Sequence, residues 1–236
     1  MLSATAGVGT AGAAPLPQSP SQQMPVPAVS SETSVPGPAS PDERCYDPKP
    51  NADLHGCDLR SFGDKLARMN LAGANLTDAI LTEMELGHAL LVGANLTHAS
   101  LAGATLNGAR IDGANLLGAD LRETKMNGVN LDSAILADAE LNNADLKDAN
   151  LHHAFLAGAH LTGANLFGVD LSLTDLHRVD LRTTNLAGAT LFGADLTEAL
   201  LSNANLNGMN LTAANLTGAH LDHATMRETQ LYRSTL

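Results

Sequence analysis

From Leu66 to Leu236 every fifth residue is leucine, with only Ile111, Met126 and Met226 standing in, over thirty-five consecutive positions. That period suits no regular element. Five steps of about 100° scatter the leucines around an α-helix. In a strand, an odd period throws successive leucines onto opposite faces. Within one unit, however, the leucine and the small residue two before it, as in Ala74/Leu76 and Ala94/Leu96, share a strand face. The chain must therefore turn once per unit. Gly two residues after the leucine (Gly73, Gly93, Gly113, Gly168) and Asn or Asp just before it are residues that turns accept. If each corner is about a right angle, four units close a square. A coil then has about 20 residues and stacks on the next by strand pairing, as repeat sequences of this kind do.

Units such as ANLTD, ANLTH, ADLRE and ADLTE resemble the A(D/N)LXX signature of the pentapeptide-repeat family, over roughly residues 52–236. The resemblance implies an all-β fold, a right-handed quadrilateral β-helix of about eight to nine coils. It also implies that Leu and Ala point inward and the residues flanking each Leu point outward. At ~4.8 Å per stacked coil the repeat would be ~40 Å long. Thr124, Val129, Val169, Thr174, Val179 and Thr184 replace the inward alanine in two clusters and are expected to fit locally without breaking the fold.

Three segments follow. Residues 1–43 are rich in Pro, Ser, Ala and Gly, a composition that cannot bury a core, and read as a disordered tether. Within it, residues 1–14 end in a small-residue pattern at Ala11, Gly12 and Ala13, but no Lys or Arg precedes Arg44. Two readings stay open: a secretion signal whose start lies upstream, and ordinary low-complexity sequence. Residues 44–65 read as an N-terminal cap, because Leu54 and Leu59 lie in a different frame and two extra residues near Phe62-Gly63 restore the register. Residues 66–236 form the repeat. At the far end TQLYRSTL stays in register without a cap. A bare coil end invites pairing, so Leu231, Tyr232 and Leu236 are a candidate homodimer contact.

Cys45 and Cys57 are the only cysteines. Cys57 stands at an inward small-residue position, where it substitutes for Ala. A Cys45–Cys57 disulfide would staple the start of the repeat and needs an oxidising compartment. A secreted or periplasmic location is the expectation, with the cytoplasm as the alternative. Two thiols without a suitably spaced His do not make a zinc site.

Outward residues 20 apart should form ladders, so charge can be sorted by face. The chain carries a net charge of −12. Within the repeat almost all of the net negative charge falls on two adjacent faces, those of Leu76/Leu96/Leu116 and Leu81/Leu101/Leu121. This balance argues against direct binding of nucleic acid. On the third face Asp120, Glu140, His160 and Asp180 take the same outward position on successive coils. A protonated His160 between carboxylates would offset their repulsion, and a weak cation site is the functional reading against a solvated polar stripe. On the second face Ile135 and Phe155 stack, with Leu117 near, as a candidate contact for a partner protein.

No nucleophile–base–orienter set is legible, and a convex stack offers no cleft that excludes water. The sequence thus predicts no enzyme, no catalytic residue, no bound metal and no cofactor. No apolar run approaches the ~20 residues of a spanning helix. The expected role is a rigid solenoid acting as a protein–protein interaction or structural module. The resemblance supplies an alternative, since some members of that family mimic DNA and bind DNA gyrase. Against it, the faces carry about one net charge per 4–5 Å, where duplex DNA carries one per ~1.7 Å. Phe155, Phe167 and Phe192 also fall outward, not at the inward position that gyrase-binding relatives commonly fill with Phe.

Overall fold

The computed structural model describes residues 41–236, so the reading of a secretion signal and that of a tether up to residue 40 lie outside the described residues, while residues 41–43, counted in the tether, begin a short helix. Each five-residue unit makes one straight side and one corner. In the side, the residue before each leucine pairs in parallel with its counterpart on the next coil. Four ladders of such single-residue bridges result: Asn70 to Gln230, Asp53 to Thr235, Asp58 to His220 and Glu85 to Thr225. Almost every rung joins residues 20 apart, which is the four-sided coil expected from the period.

The backbone bonds are regular. Leu96 N–H donates to Asn115 O at 2.6 Å, and Asn115 N–H donates back to Ala94 O at 2.9 Å. At the corner, Ala94 N–H closes a four-residue turn onto Leu91 O at 3.0 Å. The third residue of the turn has positive φ: Gly93 at 61°, but also His98 at 54° and Asp138 at 55°. A turn with positive φ there favours Gly, and Asn, Asp and His tolerate it best among the others. The sides are too short for extended strands; one paired residue between two corners is all that a five-residue unit leaves.

Leucine and alanine fill the interior. From Leu66 to Leu216 every in-register leucine, with Ile111 and Met126, is buried, and so are most residues two before them. Burying one such side chain contributes roughly 1.5–3 kcal/mol, and none of them asks for a polar partner. The inward hydroxyls do: Thr124 Oγ1 donates to Leu121 O at 2.7 Å and Thr174 Oγ1 to Leu151 O at 3.0 Å. Asn and Asp before the leucine have a second task besides tolerating turns. Asn95 Oδ1 accepts the N–H of Thr97 at 3.2 Å, and Asn150 Nδ2 donates to Asn130 Oδ1 on the coil below at 2.9 Å.

At the N-terminal end the chain departs from an all-β description. A four-residue α-helix, Pro41–Arg44, and a 3-10 turn, Arg60–Leu66, flank the first sides. Leu54 and Leu59 are already buried, and Asp53 and Asp58 pair with Asn75 and Ile80, 22 residues on. The 3-10 turn absorbs the two extra residues. Two sides of the first coil therefore lie within residues 44–65. Cys45 and Cys57 are joined by a disulfide, and Cys45 and Phe62 pack against the core.

The coil that carries Val169, Thr174, Val179 and Thr184 has a larger residue in place of Ala on all four sides. Among the described residues no bridge joins His160 to Asp180, Asn185 to Asn205 or Thr190 to Asn210, although the rungs before and after each gap are present. At this coil the rungs His160–Asp180 and Asn185–Asn205 are missing while its other six persist; Thr190–Asn210 lies one coil further on. The stack continues, as expected, but with a seam. A cleft of about 250 Å³ opens there, lined by Gly158, His160, Thr162, Arg178 and Asp180 among others. No helix among the described residues is long and apolar enough to cross a membrane.

Candidate interaction surface

Since the leucines and alanines are inside, chemistry is confined to the outward residues of sides and corners. Ile135 and Phe155 form one rung of the second face. They are 39% and 50% exposed, between Asn115 on one side and Asp175 on the other. Leu117 is only half-buried on the same face. Ile135 and Phe155 are thus paired on one wall, with Leu117 two residues beyond their neighbour Asn115. Phe167 and Phe192 are also exposed, at corners. Phe167 lies 5.7 Å beneath the Lys147 ammonium. Leu173, exposed at a corner, was not singled out by sequence reasoning because a corner residue carries no period-two signal.

The acidic ladder of the third face is arranged otherwise than as a ligand set. Asp120 pairs with Glu140, and Glu140 with His160, whose Nδ1 is 3.7 Å from Glu140 Oε2. Asp180 falls across the seam. Asp120 and Asp180 each accept two hydrogen bonds from an arginine two residues on: Arg122 Nε and Nη2 at 2.8 and 2.7 Å, Arg182 Nε and Nη2 at 2.9 and 2.7 Å. These guanidinium hydrogen bonds hold both carboxyls below the usual carboxylate range. Asp58 and Arg60 repeat the arrangement on the same face, and Asp58 is lowered to about 2. The spacing explains it. Residues flanking an inward leucine share the outward side, so Asp-Leu-Arg places acid and base next to each other. On the second face Arg178 Nε donates to Glu198 Oε2 at 2.6 Å across one coil. Asp120, Asp180 and Glu198 are thus each paired with an arginine that the net charge of their faces already counts.

A different set of groups converges at the corner between the first and second faces. His152 Nδ1 lies 3.3 Å, and His153 Nδ1 4.0 Å, from Asp132 Oδ1. Sequence reasoning missed this cluster. Its signal was present, since Asp132 and His152 are 20 residues apart, but the ladders were sought along the sides and not at the corners.

At the C-terminal end Leu221, Met226 and Leu231 are only partly covered, while Tyr232 and Leu236 are 67% and 73% exposed. The structure thus gives a four-sided parallel β-solenoid: a stacked, leucine-lined repeat whose accessible chemistry lies on its outer walls, corners and ends. The chain belongs to the pentapeptide-repeat family. The family's sequence profile, described as pentapeptide repeats, matches in eight copies, over residues 89–128, 114–152, 124–163, 144–182, 170–208 and 194–236. Among solved structures the chain is similar to HetL of Nostoc sp. strain PCC 7120, a pentapeptide repeat protein involved in heterocyst differentiation regulation. The two are 28% identical over 78% of this chain and 92% of HetL, with a TM-score of 0.47. QnrB1, a plasmid-mediated fluoroquinolone resistance protein, is 17% identical over 66% of this chain and 89% of its own, with a TM-score of 0.39. A pentapeptide repeat protein from the Arabidopsis thaliana thylakoid lumen is 24% identical over 55% of this chain and 72% of its own, with a TM-score of 0.30. A search of curated protein sequences gave no significant match.

Proposed function

We propose that this chain is a non-enzymatic, right-handed solenoid that presents a rigid wall to a partner protein, with the contact centred on Ile135 and Phe155. One observation carries this reading. Two large apolar side chains sit exposed on successive coils of one ladder, where the coils before and after hold Asn115 and Asp175. Single exposed apolar residues are normal on a surface, whereas contiguous ones mark contacts. A wall fixed by interlocked coils loses little freedom on binding, which favours affinity from a small patch. The alternative, an acidic wall that imitates duplex DNA for a topoisomerase, is weaker. With Arg122, Arg178 and Arg182 counted, the faces carry about one net charge per 4–5 Å, where duplex DNA carries one per ~1.7 Å.

The reading includes an oxidising compartment, secreted or periplasmic, which the Cys45–Cys57 disulfide supports. It also includes a homodimer through the partly open coil at Leu231, Tyr232 and Leu236. A monomeric mass by light scattering at micromolar concentration would remove that element.

Photo-crosslinking tests the main contact. A benzophenone side chain at position 155 of the full chain should capture one discrete protein in the native host. The capture should be lost from a crosslinker at the neighbouring outward position 115 in the I135S/F155S variant, whose thermal midpoint should match the parent. Absence of a discrete product, or capture indifferent to the double substitution, rejects the reading. Recovery of gyrase, with inhibition or protection in a supercoiling assay, would favour the duplex-mimic alternative.

A further inference from the structure

We propose that Asp132, His152 and His153 form a binding site for a divalent transition-metal ion of the zinc type. Asp132 and His152 hold the same corner position on successive coils, and the coils are locked in register there. Ser133 N–H donates to His152 O at 2.9 Å, and His153 N–H to Ser172 O at 3.1 Å. His153 has a φ of 56°, in the left-handed region. That conformation brings its ring beside that of His152, with centroids 3.9 Å apart and planes at 65°. Two imidazoles are thereby turned toward one carboxylate oxygen, and the three ligand atoms lie within 4.8 Å of one another.

The distances suit a small ion. Ligands at zinc bond lengths in tetrahedral array stand ~3.4 Å apart. The His152–Asp132 separation of 3.3 Å already has that value, and the 4.0 Å from His153 needs only a small rotation of an exposed ring. Neighbouring asparagines fix the backbone that carries two of the ligands. Asp132 N–H donates to Asn130 Oδ1 at 3.3 Å, and His152 N–H to Asn150 Oδ1 at 3.0 Å. Asn150 Nδ2 ties the two asparagines together at 2.9 Å. Ser133 Oγ reaches Asp132 Oδ2 at 3.4 Å, which leaves Oδ1 for the imidazoles. The Ser133 contact acts on a ligand side chain directly, the kind of brace that orients metal ligands.

Two imidazole nitrogens and one carboxylate oxygen select borderline ions over magnesium or calcium, which take oxygen ligands. Three protein ligands leave a fourth position open to solvent or to a donor from another molecule. Ile135 lies three residues beyond Asp132, and Phe155 two beyond His153. The ion would therefore sit at the edge of the apolar pair, but its binding needs no partner and is measured without one. The His160–Glu140 contact on the third face differs, because Asp180, its third member by sequence, is taken by Arg182.

Zinc titration of the full chain by calorimetry should give one Zn²⁺ per chain, and Mg²⁺ should give no heat. Cobalt(II) should develop visible ligand-field bands at the same stoichiometry. H152Q and H153N should each weaken zinc binding about tenfold or more, and H160Q should leave it unchanged. Asn suits the left-handed backbone at position 153, and circular dichroism in the absence of metal should match the parent, so that lost binding is not lost folding. No zinc binding up to millimolar concentration overturns the proposal. So does binding that survives both substitutions, or that is lost with His160.

Discussion

Asp58, Asp120 and Asp180 show how much one outward pair can do. Each accepts hydrogen bonds from the arginine two residues later, and each carboxyl titrates below the ordinary range for that reason. For Asp58 the sign is clear. Its folded value, about 2, lies below the unfolded value near ~3.9. The pair's stabilisation is present above that unfolded value and is lost as pH falls through about 2. Because the pair is exposed, the effect on global stability is small. The titration itself is a better readout. In R60Q, carboxyl NMR should find Asp58 returned toward the ordinary carboxylate range; an unshifted midpoint would mean that Arg60 is not the cause. The Asp-Leu-Arg motif was legible as three residues with two on one side. That the guanidinium occupies both carboxylate oxygens, and so removes Asp120 and Asp180 from any cation site, depended on rotamers.

At the scale of one coil, the leucine register is unbroken while the hydrogen-bond ladder is not. Val169, Thr174, Val179 and Thr184 were visible as substitutions for Ala, and Thr124 and Val129 looked equivalent. They are not. The first set occupies all four sides of one coil, whereas the second occupies two, and the rungs Lys125–Asp145 and Asn130–Asn150 persist there. The coil with the full ring lacks the rungs His160–Asp180 and Asn185–Asn205 and keeps its other six. Open backbone exchanges with solvent more readily than paired backbone. Hydrogen exchange should therefore be faster at the amides of Leu161 and Leu186 than at Leu141 and Leu146, which donate to His160 O and Asn165 O. Equal protection at the four positions would show that the seam closes in solution.

For the solenoid as a whole, contacts run between adjacent coils, so its ends matter more than they do in a globular core. The Cys45–Cys57 link closes a loop with a sequence separation of 12, worth about 3 kcal/mol by restriction of the unfolded chain. Reduction, or the C45A/C57A variant, should lower the thermal midpoint and expose the amides of Leu54 and Leu59 first, leaving those near Leu201 protected. A midpoint indifferent to reductant would mean that the 3-10 turn and Phe62 close this end unaided. The coil itself was determined by sequence alone. A five-residue period with Leu and Ala two apart admits few solutions, because only a turn per unit returns every leucine to one interior. The tertiary structure decided what the period cannot carry: which carboxylates arginines occupy, where the ladder loses rungs, and that a corner brings two histidines against Asp132. Those outcomes depend on side-chain direction and inter-coil distance. A repeat fixes the address of each residue in the stack, whereas direction and distance are set only when the coils pack.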